Sequence, residues 1–256
     1  LGVLPFTKMI NFFADPDICI APYKNYQNKA YEQMKIYIQF NSLHEKQLIE
    51  NTIKKGSATP EIYLDRLALS IEPEDKVSTI LLGSQPTEEA TIKYVTNFIE
   101  MAKKMGNQNI RHQLFVFCNQ HFEQKNSLLK RIHDLIQKVK KFPKNLNIIP
   151  MCFQGDDVIA PLYYRSNATF TRSGGLTAME LMTVAQGQIW IHSELKISPL
   201  NKLDLCRGMP VWERGNAYYL KAMKGAEFIT PDTFCETCAS YFTDNYSTAR
   251  EINYSP

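Results

Sequence analysis

The sequence lacks any apolar run close to the about 20 residues that a membrane-spanning helix needs. It also lacks a strong charge imbalance, because 29 Lys and Arg residues stand against 26 Asp and Glu, for a net charge of +3. That balance does not indicate a nucleic-acid-binding protein. A hydrophobic share of 44% with 21% charged residues is typical of a soluble globular protein, which we expect in the cytoplasm.

The start of the chain shows no basic segment followed by an apolar core, so no signal peptide is predicted. Because the numbering begins at Leu1 rather than at a methionine, we expect the chain to be a fragment of a longer protein.

Cysteine is sparse and scattered, which favours a reducing compartment over a disulfide scaffold. The six cysteines are Cys19, Cys118, Cys152, Cys206, Cys235 and Cys238. The last two form a lone C-x-x-C, but a structural zinc site needs four ligands and no second pair stands at zinc spacing. We therefore predict two ordinary helix cysteines there and no metal site.

Lysines are densest shortly before position 145, at Lys138, Lys140, Lys141 and Lys144. We interpret them as the solvated end of a helix. Peripheral contact with an anionic membrane is the alternative that this cluster leaves open.

From Val77 onward, short apolar runs alternate with longer amphipathic ones. This alternation predicts an α/β fold, a doubly wound parallel sheet of the Rossmann-like type. The predicted strands are 77–82, 113–118, 145–151, 168–171, 188–192 and 227–230. The predicted helices are 87–105, 126–141, 156–164, 176–185 and 214–224, with Asp156 or Asp157 as a cap and Pro231 opening a last helix.

The first 76 residues follow a different pattern. We predict a strand over 17–21 and helices over 28–40, 43–55 and 61–69, hence a mostly helical N-terminal segment. The polar stretch 72–76 contains a proline and precedes the first regular strand. It is the predicted boundary between a segment 1–76, possibly the end of a preceding domain, and a nucleotide-binding domain 77–256.

Ligands of an open parallel sheet bind beyond the carboxyl ends of its strands. The stretch from Arg172 to Glu180 joins a predicted strand to a helix there, and contains Ser173-Gly174-Gly175. Glycines let a bulky anion approach the backbone, and the first turn of a helix favours phosphate. Glu180 would then reach the hydroxyls of an attached ribose. The alternative is a plain tight turn followed by a solvated glutamate.

Two further strand ends carry candidate groups. Gly83-Ser84-Gln85 follows the first strand of the sheet and offers amide and hydroxyl donors. Phe153-Gln154 follows the third strand, where an aromatic face beside backbone polar groups can hold a planar base. The alternative for Phe153 is a place in the core.

The segment Trp212–Asn216 begins a predicted helix facing the same edge. Glu213 and Asn216 would bond the hydroxyls of a sugar, and Arg214 would meet phosphate. Helix capping is the alternative. His192 ends the fifth strand and is a weak candidate for a catalytic base or a pocket residue.

Taken in order, these segments resemble the C-terminal domain of glycosyltransferases of the GT-B fold. The likeness is greatest to the bacterial peptidoglycan N-acetylglucosaminyltransferases that use UDP-GlcNAc and to their diacylglycerol-glycosylating relatives. It runs from about Val77 to Pro231 and includes the stretch Arg172-Ser173-Gly174-Gly175-Leu176-Thr177 with Glu180. It also includes Gly215-Asn216-Ala217 and Gly225-Ala226. Trp212-Glu213 stands where the family often has Gln-Gln, which puts the identity of the sugar in doubt.

The resemblance implies roles for these positions. The Ser-Gly-Gly turn would cradle a diphosphate, Glu180 would hold the ribose, and Phe153 with Gln154 would flank uracil. Glu213 and Asn216 would face the donor sugar. No metal or other cofactor is required, because helix N-termini can stabilise the leaving group.

We therefore expect the donor half of a UDP-sugar-dependent hexosyltransferase, with its acceptor unknown and its catalytic base outside this chain. Two alternatives stay open. One is a nucleotide-sugar epimerase, and the other is a non-catalytic nucleotide-sugar-binding module.

Overall fold

The structure is a computed structural model that describes residues 34–83, 87–105, 110–118, 127–194, 206 and 209–238. Its strands are β1 Met34–Gln39, β2 Glu61–Ile62, β3 Arg66–Ile71, β4 Lys76–Leu81, β5 His112–Phe117, β6 Leu146–Met151, β7 Ala168–Thr171, β8 Gln188–His192 and β9 Glu227–Ile229. Its helices are α1 Leu43–Ile53, α2 Glu88–Met105, α3 Leu128–Lys138, α4 Asp156–Arg165, α5 Gly175–Val184, α6 Val211–Lys224 and α7 Phe234–Thr237.

Six strands form a parallel sheet in the order β6-β5-β4-β7-β8-β9. Counted along the chain within this sheet, the order is 3-2-1-4-5-6, which is that of the doubly wound dinucleotide-binding folds. The strand order reverses between β4 and β7. The predicted α/β class with a parallel sheet is thereby confirmed, and each predicted strand from 77 onward lies within two residues of an observed one.

Both faces of this sheet are covered. Neighbouring residues of β8 point to opposite sides, as a strand requires. Trp190 packs in a cluster with α2, α3 and α7, whereas Ile189 and Ile191 pack in a second cluster with α5 and α6. Buried aliphatic and aromatic side chains on two sides explain why these strands read as short apolar runs.

A second, antiparallel sheet in the order β1-β3-β2 precedes the large one. The helix predicted over 61–69 is therefore wrong, and so is the described part of the one predicted over 28–40. In β1 the buried residues Ile36 and Ile38 alternate with exposed neighbours, a period of two rather than 3.6. The helix predicted over 43–55 is confirmed as α1, whose N-cap Ser42 accepts from the Glu45 amide. The strand predicted over 17–21 lies outside the described residues.

The two sheets share one hydrophobic cluster, which includes Ile38 and Leu69 as well as Val77 and Phe115. The division at 72–76 stays a prediction.

Buried Arg165, the last residue of α4, holds the segment before β4. Its Nη2 donates to the carbonyl oxygens of Glu72, Pro73 and Asp75, each at 2.9 Å. The Asp75 carboxylate in turn accepts from Arg111 at 2.7 and 2.9 Å. Carbonyl groups that folding partly or fully buries need such donors, because water reaches them less easily.

Two local details differ from the expectations. Gly155, not Asp156 or Asp157, is the N-cap of α4, and no side chain caps this end. The two aspartates lie instead in the first turn, where their charge still favours the helix dipole. The last described helix begins at Phe234, three residues after Pro231, which lies in the preceding turn.

Within the described part of the chain, no helix combines the length and the apolar character needed to cross a membrane.

Replacing Arg165 with Met should lower the free energy of unfolding by about 3 to 5 kcal/mol, because three carbonyl groups lose their donor inside the protein. Urea denaturation followed by circular dichroism measures this loss. Arg131→Met is the matched control, since Arg131 makes partly exposed ion pairs with Glu88 and Glu89 that contribute about 0 to 1 kcal/mol. Losses of equal size in the two variants would contradict this account of Arg165.

Candidate functional site

The site is built where the strand order reverses, at the carboxyl ends of β4 and β7. Leu81 pairs with Thr171, so Gly83 and Ser173 each lie two residues beyond a matched pair. The structure thus brings together two of the segments that the sequence singled out. Gly83 has φ 80 and is exposed, as a turn leaving a strand requires. Ser84 and Gln85 lie outside the described residues.

Ser173 has an unusual backbone conformation for a residue with a side chain, with φ 59, and it is buried. Helix α6 holds it there by two hydrogen bonds. The Ser173 hydroxyl donates to the Glu213 carbonyl at 3.1 Å, and the Asn216 side-chain amide donates to the Ser173 carbonyl at 2.8 Å. The strained residue is therefore fixed by an element about 40 residues away in the sequence.

The next two residues, Gly174 and Gly175, do not have to be glycine for the described part of the protein to pack. No atom of the described residues lies within 4 Å of a Cβ added to Gly174 or to Gly175, and neither residue has a positive φ. Gly187 provides the contrast, because a Cβ there would lie 2.3 Å from the carbonyl oxygens of Ser166 and Asn167. Bare main chain thus faces open space at 174 and 175.

These glycines begin helix α5. Its first internal hydrogen bond runs from the Ala178 amide to the Gly174 carbonyl, and Gly174 has no side chain with which to cap the helix. The amides of residues 175–177 come before that bond, at the positive end of the helix dipole. Such an end is suited to an anion.

Glu180 follows about one and a half turns along α5 and is buried, only 6% exposed. A solvated glutamate, the alternative considered from sequence, is therefore wrong. Glu180 lies near Tyr163, whose pKa is raised first by burial and then by the charge of Glu180. The nearby Thr177 side chain opposes this rise of the Tyr163 pKa.

Arg172 places a positive charge directly before the turn. Its guanidinium lies 3.1 Å from a Glu213 carboxylate oxygen and 3.4 Å from one of Glu194. Burial raises the pKa of Glu213, and the neighbouring Arg172 opposes that shift. The predicted place of Arg172 in the nucleotide-sugar site and the predicted contact of Glu213 with a sugar stay predictions.

Both residues of helix α6 predicted to contact a sugar therefore hold side or main chain at the turn and directly before it. Asn216 is buried, and its amide group bonds Ser173, while Glu213 bonds Arg172. Arg214 is exposed, and its Nε donates to the Met209 carbonyl at 3.2 Å. The contact between Asn216 and Ser173 had no local signal in the sequence.

Phe153 and Gln154 have different environments. Phe153 is 65% exposed at the same edge of the sheet, so a place in the core is excluded. Gln154 is buried, and its amide group accepts from the Gln39 amide and donates to the Gln39 carbonyl. It thus ties the end of β1 to the end of β6. Because β6 is three strands from β7, about 14 Å away, a ligand must be extended to touch both.

His192 ends β8 and is 3% exposed. Its Nδ1 lies 3.0 Å from the hydroxyl of Tyr94, a residue of α2 that the sequence analysis did not single out. Burial, and then the charge of Arg172, lower the pKa of His192 to about 4.

The C-x-x-C pair lies in and just after α7, with Cys238 buried and Cys235 partly buried. Burial raises the pKa of the Cys238 thiol. The structure places no group of three or more His, Cys, Asp or Glu suited to a metal ion among the residues it describes.

Replacing Asn216 with Asp should destabilise the protein by at least as much as replacing it with Ala, by about 1 to 3 kcal/mol, because a carboxylate cannot donate to the Ser173 carbonyl. Urea denaturation measures both losses. Lys221→Ala, on the exposed side of the same helix, is the control and should change stability by less than about 0.5 kcal/mol. An Asn216→Asp variant as stable as the unaltered protein would refute the role given to this amide.

Comparisons with known proteins give one result to report. No family model matches the chain, and no curated protein matches it. Among solved structures, the chain is similar to the crystal structure of MurG from Acinetobacter baumannii, at 19% identity and a TM-score of 0.44. The match covers 65% of this chain and 41% of that one, so the chain spans about two fifths of the length of that protein. The assignment to the doubly wound α/β class rests on the strand order of the six-stranded parallel sheet.

Proposed function

We propose that this chain is the donor half of a glycosyltransferase, which binds a UDP-sugar at the reversal point between β4 and β7. The proposal depends chiefly on one observation, the open space above Gly174 and Gly175. Glycine is common at the N-cap, but a second glycine inside the first turn lowers helix stability unless something needs its missing side chain. Since no atom of the described protein occupies that space, a bound anion is the best reason for the two glycines.

The diphosphate of the donor fits this place. When the bond between sugar and phosphate breaks, negative charge grows on the terminal phosphate of the leaving group. Amide groups of residues 175–177 and the dipole of α5 would stabilise that charge without a metal ion. Arg172 adds a positive charge beside the turn, within ion pairs that a phosphate can compete for.

The rest of the nucleotide extends along the edge of the sheet in this proposal. Glu180, buried on the same helix, would accept hydrogen bonds from the ribose hydroxyls. The exposed ring of Phe153 would stack on the base. Gln154 is occupied by Gln39, so it would shape this end of the site through β1 rather than contact uracil with its side chain.

A thermal-shift panel of UDP-, GDP-, ADP- and TDP-sugars tests the choice of nucleotide. A ligand present at 100 times its Kd should stabilise the fold by about 2.7 kcal/mol. Among products, UDP released from a UDP-sugar with no acceptor present would favour the epimerase alternative. Binding without any turnover would favour the binding module.

Replacing Gly175, the first residue of α5, with Ala should leave the fold at least as stable and weaken UDP binding at least tenfold. The fold has room for the methyl group, and alanine reduces the freedom of the unfolded chain. A bound phosphate would collide with it, and tenfold corresponds to about 1.4 kcal/mol. Thermal unfolding and isothermal titration with UDP measure the two effects.

Gly187→Ala serves as the opposite control for this experiment. There the methyl group meets two carbonyl oxygens, so the melting temperature should fall. If Gly175→Ala binds UDP as tightly as the unaltered protein, the diphosphate does not lie on this turn.

Replacing Glu180 with Gln should weaken UDP binding at least tenfold, because charged hydrogen bonds to the ribose hydroxyls are lost. The loss should be smaller for 2′-deoxy-UDP, which lacks one of those hydroxyls. Glu100→Gln, an exposed position of α2, is the matched control. Equal losses for the two nucleotides would exclude a contact between Glu180 and the ribose 2′-hydroxyl.

A further inference from the structure

One ring nitrogen of the His192 imidazole makes no hydrogen bond within the described part of the protein. Its Nε2 is buried and has no hydrogen-bond partner among the described residues, while its Nδ1 is held by Tyr94. Buried polar atoms of this kind are uncommon, because an unmade hydrogen bond destabilises the fold by about 1 to 3 kcal/mol. One that lies at a ligand-binding edge is a candidate for a ligand contact.

The Tyr94 contacts decide which chemical group Nε2 can bind. The Tyr94 hydroxyl has one proton, and it lies 3.3 Å from the Ile229 carbonyl, which can only accept. Both contacts are satisfied when Tyr94 donates to Ile229 and Nδ1–H of His192 donates to the Tyr94 oxygen. Nε2 then carries a lone pair and needs a donor from its ligand.

That requirement excludes a phosphate oxygen, which is ionised at neutral pH and only accepts. A sugar hydroxyl is a donor, and His192 is close to where the sugar would lie. It ends β8, the strand next to β7, whose end forms the turn at 173–175. A sugar joined to a diphosphate on that turn has the end of β8 beside it.

We propose that Nε2 of His192 accepts a hydrogen bond from a hydroxyl group of the donor sugar, and so helps to determine which sugar is bound. This inference rests on the proposed function. His192 acts here as a specificity-determining residue that senses a hydroxyl rather than as the base that activates an acceptor.

Burial of His192 and the charge of the neighbouring Arg172 support this division of roles. A general base works best when its pKa is near the working pH, whereas burial and Arg172 hold the pKa of His192 well below neutrality. A neutral imidazole still accepts a hydrogen bond. Because Nε2 has almost no exposed surface, a side chain must move to admit the sugar. Arg172 is suited to that movement, since the diphosphate would draw it from the exposed Glu194.

The test compares UDP with UDP-N-acetylglucosamine and UDP-glucose by isothermal titration on the whole chain. His192→Phe keeps an aromatic ring but has no acceptor. It should bind the better of the two UDP-sugars at least tenfold more weakly than the unaltered protein does, and UDP with less than a twofold change. A deoxy analogue that lacks the recognised hydroxyl should bind the variant and the unaltered protein equally.

Tyr94→Phe provides a second variant, should the first one unfold. Without the tyrosine oxygen, Nδ1 loses its acceptor and the lone pair is no longer held on Nε2. Affinity for the UDP-sugar should then fall severalfold, again with UDP unaffected. Unchanged affinity for the UDP-sugar, or an equal loss for UDP, would overturn the role of His192. An unaltered protein that binds neither UDP nor its sugars would instead overturn the proposed function.

Discussion

The hydrogen bonds between Ser173 and helix α6 determine the shape of the candidate site. Ser173 has a positive φ that glycine would adopt more easily, and it stays there because the Asn216 amide binds its carbonyl and the Glu213 carbonyl binds its hydroxyl. Once that residue is fixed, the chain turns so that the next two residues are bare main chain at the start of α5. The positions of Gly174, Gly175 and Glu180 all follow from it.

Serine and glycine stand in an unexpected order in this turn. The backbone strain falls on Ser173, whereas the glycines at 174 and 175 have ordinary φ values and open space where side chains would be. Stability alone would favour the reverse arrangement, with glycine at the strained position and side chains after it. A residue placement that lowers stability and brings no other benefit to the fold is typical of functional sites. Binding of the proposed anion would be the benefit here.

Charge at this edge is arranged in a chain of contacts. Arg172 lies between Glu213, which is mostly buried, and Glu194, which is exposed. Burial, together with the same positive charge, lowers the pKa of His192 to about 4. If the proposed diphosphate binds at the turn, Arg172 is well placed to respond to it, and its movement would couple that end of the proposed site to the sugar end.

Periodicity in the sequence was enough to determine the parallel sheet, because strands buried on both faces read as apolar runs between amphipathic helices. The sequence also located the turn at 173–175, because a glycine pair between a predicted strand and a predicted helix is a local signal. The tertiary structure decided the rest. The alternation in β1 covers only six residues within the segment 28–40, which as a whole is predicted to be a helix. The strand is evident through its partner β3, about 30 residues away. The partners of Gln154, Asn216 and His192 come from other elements for the same reason. The type of a polar residue determines which hydrogen bonds its side chain can make. Only the packing of distant elements determines which group becomes its partner.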